Sequence, residues 1–120
     1  MCSQDSLRQI LQETRSGIED IFKERLENLI LYGSYARGDA DEWSDIDILV
    51  LVQGISKAEL WKYDKKVNAV LSRIEKAWDY DILLSVHLVD SFTFHEYANH
   101  LPFYMNVIQE GIPFVRETIH

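Results

Sequence analysis

From Leu7 to Leu26 the apolar residues Leu7, Ile10, Leu11, Ile18, Ile21, Phe22 and Leu26 recur three and four positions apart. That spacing predicts a helix with one buried stripe. The next apolar run, Leu29 to Tyr32, has strand length and is stopped by Gly33, so it reads as a buried strand ending in a tight turn, with a loop after it. Ile46 to Val52 is rich in β-branched and aliphatic residues and is closed by Gly54, which predicts a second strand beginning near Asp45. Between Lys57 and Trp78, helical spacing returns in Leu60, Val67, Val70, Leu71, Ile74 and Trp78, with Lys and Glu on the opposite face. Tyr80 to Val89 reads as a third strand. A helix from about Phe92 to His100 follows, and then a helical turn from Tyr104 to Glu110, ended by Gly111 and Pro113. This order implies an α/β (α+β) domain, 1–120, in which a small mixed sheet carries helices mainly on one face.

Composition narrows the function classes. The 120 residues carry 20 acidic against 12 basic side chains, a formal charge of −8. This is the wrong sign for gripping a long nucleic acid through counterion release. No apolar run reaches the 18 residues of a membrane span, and no basic stretch precedes an apolar one at the start, so a cytoplasmic protein without a membrane partner is expected. Cys2, the lone cysteine, excludes an internal disulfide and a cysteine-based metal site. His87, His95, His100 and His120 show no metal-ligand spacing.

The chemistry concentrates between Leu29 and Val52. Gly33 and Ser34 end one strand, while Asp45 and Asp47 open the next. Residues two apart on a strand share a face, so these carboxylates stand about 6–7 Å apart at the backbone and can converge on cations. Phosphoryl-type transfer uses two Mg²⁺ ions about 3.5–4 Å apart, held by anionic oxygens on a rigid element. A third carboxylate is expected from a neighbouring strand. Asp81 is the favoured candidate, as metal ligand and proton acceptor, and Asp79, two residues earlier, is its competitor. Gly33 allows main-chain N–H groups to approach a triphosphate, Ser34 adds a hydroxyl, and Arg37 offers a bidentate phosphate contact. Asp39, Asp41 and Glu42 read as solvated surface. Trp43 either stacks on a base or packs on its own domain, and Trp61 and Trp78 read as covering the core or its edge. The aromatic group Phe92, Phe94, Tyr97, Phe103 and Tyr104 reads as helix packing, with a partner surface as the alternative.

The spacing Gly-Ser, ten residues, Asp-x-Asp resembles the signature of the minimal nucleotidyltransferase branch of the DNA polymerase beta superfamily, of the MntA-like antitoxin type. Pro102-Phe103-Tyr104, Asn106 and Glu110-Gly111-Ile112 resemble the tail of such short proteins. The resemblance implies a nucleotidyltransferase fold, ATP as AMP donor, and Mg²⁺ on Asp45, Asp47 and a third acid. It also implies a HEPN-domain toxin as protein partner, with a tyrosine that receives AMP. Two other accounts remain: a catalytically silent module that neutralises a partner by contact, and a transferase for a small molecule. The sequence leaves the oligomeric state open, a homo-oligomer included.

Overall fold

The computed structural model describes residues 2–117 and 119; His120 lies outside them. The first helix, α1 (Gln4–Phe22), starts at Ser3, whose hydroxyl accepts the Ser6 N–H at 3.1 Å. This N-cap satisfies one of the free donors of the first turn. Leu7, Ile10, Ile18 and Phe22 form its buried stripe, and Thr14 is tolerated among them because its hydroxyl donates to the Ile10 carbonyl at 2.8 Å. Strand β1 (Leu26–Tyr32) follows, then a one-turn helix α2 (Gly33–Arg37) where the sequence predicted loop. Five residues are too few to display helical periodicity, so the pattern of apolar positions could not reveal α2. Strand β2 (Ile46–Val52) keeps its predicted bounds.

The predicted helix from Lys57 divides into a 3₁₀ segment (Lys57–Tyr63) and α3 (Asp64–Ala77). A further α-helical pair, α4 (Ser91–Tyr97) and α5 (Pro102–Glu110), surrounds the predicted chain break at Pro102. Asp90 caps α4 by accepting the Thr93 N–H at 2.9 Å. The third strand, β3 (Leu84–Asp90), begins four residues later than predicted. The chain from Trp78 to Asp81 is used to close α3. Tyr80 N–H reaches the Glu75 carbonyl at 2.8 Å and Asp79 N–H the Lys76 carbonyl at 3.0 Å, the paired bonds of a Schellman ending. Asp79 and Tyr80 take positive φ, 56° and 59°. Glycine usually fills such a position, so the sequence carried no stop signal there.

The sheet order is β3-β2-β1-β4, where β4 (Ile112–Pro113) is a short edge strand. β2 pairs antiparallel with β1 and parallel with β3, the crossover running through α3, so the sheet is mixed. α1 and α3, the two longest helices, cover one face, built on Leu29, Leu31, Ile46, Ile48, Val50 and Val52. α4 and α5 cover part of the other, where Ile30, Leu49, Leu51 and Val89 meet Phe94, Tyr104 and Val107. Covered on both faces, β2 is apolar at every position except Asp47. Each such fully buried aliphatic side chain stabilises the fold by about 1.5–3 kcal/mol, so a carboxylate in this strand stands out against the packing. Phe94 and Tyr104 pack as predicted, whereas Phe92 is 77% exposed. Trp61 is also exposed and does not cover the core, while Trp78 packs at its edge and donates its indole N–H to Glu13 at 3.0 Å.

Candidate active site

Strand register places Tyr32, Asp47 and Ser85 in one row across β1, β2 and β3, with Ile30, Leu49 and His87 in the next row. These residues share the sheet face that α4 and α5 leave partly open. Asp47 is half-buried and Asp45, one residue before β2, is exposed. Ile46 between them points into the opposite core, as strand alternation requires. Burial raises the Asp47 pKa above the ordinary carboxylate value, and the neighbouring Asp45 charge raises it further. Arg37 and the neighbouring Ser85 hydroxyl act in the opposite direction. Burial, and then the charge of Asp47, hold the Tyr32 phenol above its usual value.

Gly33 abuts this carboxylate. Its φ is +74°, and a Cβ built there would overlap Asp47 Oδ2. Phosphate approach is the sequence expectation for this glycine; what the structure shows is that it makes room for the acid. α2 begins at Gly33, and the first N–H groups of a helix have no intrahelical acceptor. Gly33 and Ser34 thus bring main-chain donors to the edge of the Asp47 site. Arg37 is half-exposed and pairs with Asp39 at 3.2 Å and Glu110 at 3.5 Å. Asp41 accepts the Trp43 N–H at 2.9 Å and the Ser44 hydroxyl at 3.1 Å, so this loop acid fixes the turn leading into Asp45 and is more than solvated surface. Trp43 itself is 85% exposed, so it does not pack into the core of its own domain.

Asp81 requires a correction. It is exposed in the bend before β3, outside the strand from which it was expected to reach the metals. Among the described residues, no group of three His, Cys, Asp or Glu side chains could hold a metal ion. The expectation failed because the Schellman ending of α3 consumes Asp79 to Asp81, which moves the strand start to Leu84. Beside Asp47 the neighbouring strand offers Ser85, and then His87, whose pKa burial lowers. Polar Ser85 and His87 alternate with apolar Leu84, Val86 and Leu88. That alternation was the signal that could have located the site-facing side of β3.

The remaining donor set still fits a divalent cation. Mg²⁺ commonly takes one or two protein carboxylates and completes its shell with substrate phosphates and water. Asp45 and Asp47 are close enough for the charge of one to raise the pKa of the other, an arrangement that a cation relieves. Two carboxylates suit one nucleotide-borne ion; they do not make the three-acid cradle expected for two. Asp81→Asn and Asp79→Asn should therefore each leave transfer unchanged and shift stability by less than about 0.5 kcal/mol. Steady-state turnover and thermal melts of both variants check this, and a dead Asp81→Asn would restore the acid to the site.

Residues 11–113 match the nucleotidyltransferase domain family. The chain belongs to that family. A Methanocaldococcus jannaschii relative, "Putative protein adenylyltransferase MJ0141", is 42% identical over 77 residues, which cover 64% of this chain and 73% of the relative. A second from the same organism, "Putative protein adenylyltransferase MJ1305", is 36% identical over 84 residues, 70% of this chain but 55% of the relative's own length. In three dimensions the chain is similar to the crystal structure of a "putative nucleotidyltransferase" from Sulfolobus solfataricus, with a TM-score of 0.57 and 20% identity over 92% of this chain and 83% of that one. That likeness supports the shared fold alone. As a nucleotidyltransferase, this enzyme carries the Gly33-Ser34 turn and the Asp45/Asp47 pair at adjoining strand ends, where the apolar pattern of the sequence places them. Tyr32, Ser85, Phe103 and Glu110 surround or adjoin them without having been singled out from sequence as site residues.

Proposed function

We propose that this nucleotidyltransferase moves AMP from ATP to a hydroxyl on a partner protein. The observation that carries the chemistry is the seating of the Gly33 turn directly on Asp47, which puts main-chain N–H groups and a carboxylate side by side. The names of the two archaeal relatives support a protein as acceptor. In this reading Gly33, Ser34 and Arg37 hold the triphosphate, and Asp45 and Asp47 hold Mg²⁺. Bound there, Mg²⁺ would neutralise charge on the phosphates and the departing pyrophosphate. The acceptor oxygen bonds to the α-phosphorus, the α–β anhydride bond breaks, and pyrophosphate and a proton are released. Arg37 must exchange its contacts with Asp39 and Glu110 for phosphate oxygens, a change favoured by the higher charge of the triphosphate. The acceptor we propose is a tyrosine of a HEPN-domain toxin, met in the cytoplasm. No helix among the described residues is long and apolar enough to cross a membrane.

That no third acid joins Asp45 and Asp47 among the described residues favours one competing account, a module that binds nucleotide or partner without turnover. Labelled ATP separates the two. With Mg²⁺ and a HEPN-domain protein, label in the α-phosphate should appear on the partner, and label in the γ-phosphate should leave as pyrophosphate. Partner binding with neither label transferred would support the contact-only account.

Mg²⁺ should also govern nucleotide binding, because Asp45 and Asp47 repel a bare triphosphate and attract a metal-bridged one. At a free ligand concentration of 100 times Kd, Mg²⁺ with ATP should stabilise the fold by about 2.7 kcal/mol. ATP with a chelator should give a far smaller shift in a thermal melt. Equal shifts would count against a metal-dependent site.

A further inference from the structure

We propose that the cavity between the Gly33 turn and α5 receives the base of the donor nucleotide, with Phe103 as its apolar wall and Asn106 as the group that reads the base edge. This assignment rests on the nucleotidyl-transfer reading and adds the determinants of base recognition to it. The cavity has a volume of about 210 Å³. That is below the usual range of about 300–1,000 Å³ for sites enclosing a whole ligand of drug size, and it suits part of a nucleotide. Gly33 and Arg37 form one side, so the space opens directly from the elements assigned to phosphate. Phe103, Asn106 and Glu110 form the other side.

The three α5 residues lie on one stripe of the helix, because they are separated by three and four positions. At 1.5 Å per residue the stripe is about 10 Å long, and its chemistry is graded. Glu110 lies at the phosphate end, 3.5 Å from Arg37, where a carboxylate can accept from sugar hydroxyls. Asn106 follows, offering an amide donor and acceptor together, the pairing that matches the edge of adenine. Its side chain is exposed and lines the cavity, so a ligand there can reach it. Phe103 ends the stripe. Its ring stands edge-on to Tyr32, with centroids 5.5 Å apart at 87°, and lies 5.1 Å from the His87 ring. These contacts fix the ring, which remains 38% exposed and lines the cavity. A fixed, partly open aromatic ring is a stacking surface for a base.

Binding of ATP and of inorganic tripolyphosphate, each with Mg²⁺, tests the assignment by calorimetry. The wild-type protein should bind ATP more tightly than tripolyphosphate. Phe103→Ala and Asn106→Ala should each weaken ATP by about tenfold while changing tripolyphosphate by less than about twofold, since their effect falls on the base. Asn106 is exposed, so its variant keeps the fold even if loss of the Phe103 ring contacts loosens α5. Unchanged ATP affinity in both variants, or equal loss of both ligands in Asn106→Ala, would overturn the base assignment. Unchanged ATP affinity with reduced transfer would give the cavity to the acceptor side chain instead. A wild-type protein that binds neither ligand would overturn the nucleotidyl-transfer reading, and this assignment with it.

Discussion

Asp47→Asn should reduce AMP transfer by on the order of 10³-fold while the protein remains folded and at least as stable at neutral pH. Activity falls because the amide removes one of the two proposed anionic metal ligands, at the only acidic position within β2. Stability follows the opposite logic. The folded-state pKa of Asp47 is raised by burial and by Asp45, so the folded chain holds this proton more tightly than the unfolded chain does. By linkage, the stability so gained is fully present below the ordinary value of 3.8. It is lost as pH rises through the higher folded value. At neutral pH the ionised group is therefore a net cost, and a neutral isostere removes it. Melting curves of Asp47→Asn and wild type should converge toward low pH, where both side chains are uncharged, and separate in favour of the variant above it. Loss of cooperative unfolding at neutral pH would identify Asp47 as a structural carboxylate.

Gly33→Ala should be damaging in both respects. At φ +74° an alanine loses about 1–2 kcal/mol from the left-handed backbone alone, which corresponds to a Tm lower by roughly 5 °C or more. The new methyl group must also displace the Asp47 carboxylate. A shift of about 1 Å in a reacting group can cost on the order of 10²-fold in rate, so transfer should fall at least that far at temperatures where the variant is fully folded. The combination with Asp47→Asn is informative. If Gly33 acts through Asp47, the double variant should lose little more activity than Asp47→Asn alone, whereas multiplied losses would show independent roles.

The long elements were legible because their apolar residues repeat with a period: α1 through Leu7, Ile10 and Ile18, β2 through an unbroken run from Ile48 to Val52, and α3 through Val67, Val70 and Ile74. The place of Asp47 on β2 was legible because the Gly-Ser turn, ten residues and the Asp-x-Asp pair fall between two apolar strands. What could not be read was conformation that leaves no periodic trace. The one-turn α2 was one case, and the left-handed Asp79 and Tyr80 were another. The latter shifted the start of β3 and left Asp81 outside the strand. Contacts between distant segments were also hidden: Gly33 against Asp47, and Phe103 against Tyr32 and His87, depend on strand register and on the placement of α5, neither of which is written in any local window.

The most direct measurement is mass spectrometry of a HEPN-domain partner after incubation with the enzyme, ATP and Mg²⁺, beside parallel reactions with Asp45→Asn and Asp47→Asn. The account predicts that a tyrosine of the partner gains the mass of one AMP with the wild-type enzyme and that the gain is absent with either variant. A partner that is bound and neutralised but gains no mass, or that is modified equally by all three proteins, would contradict it.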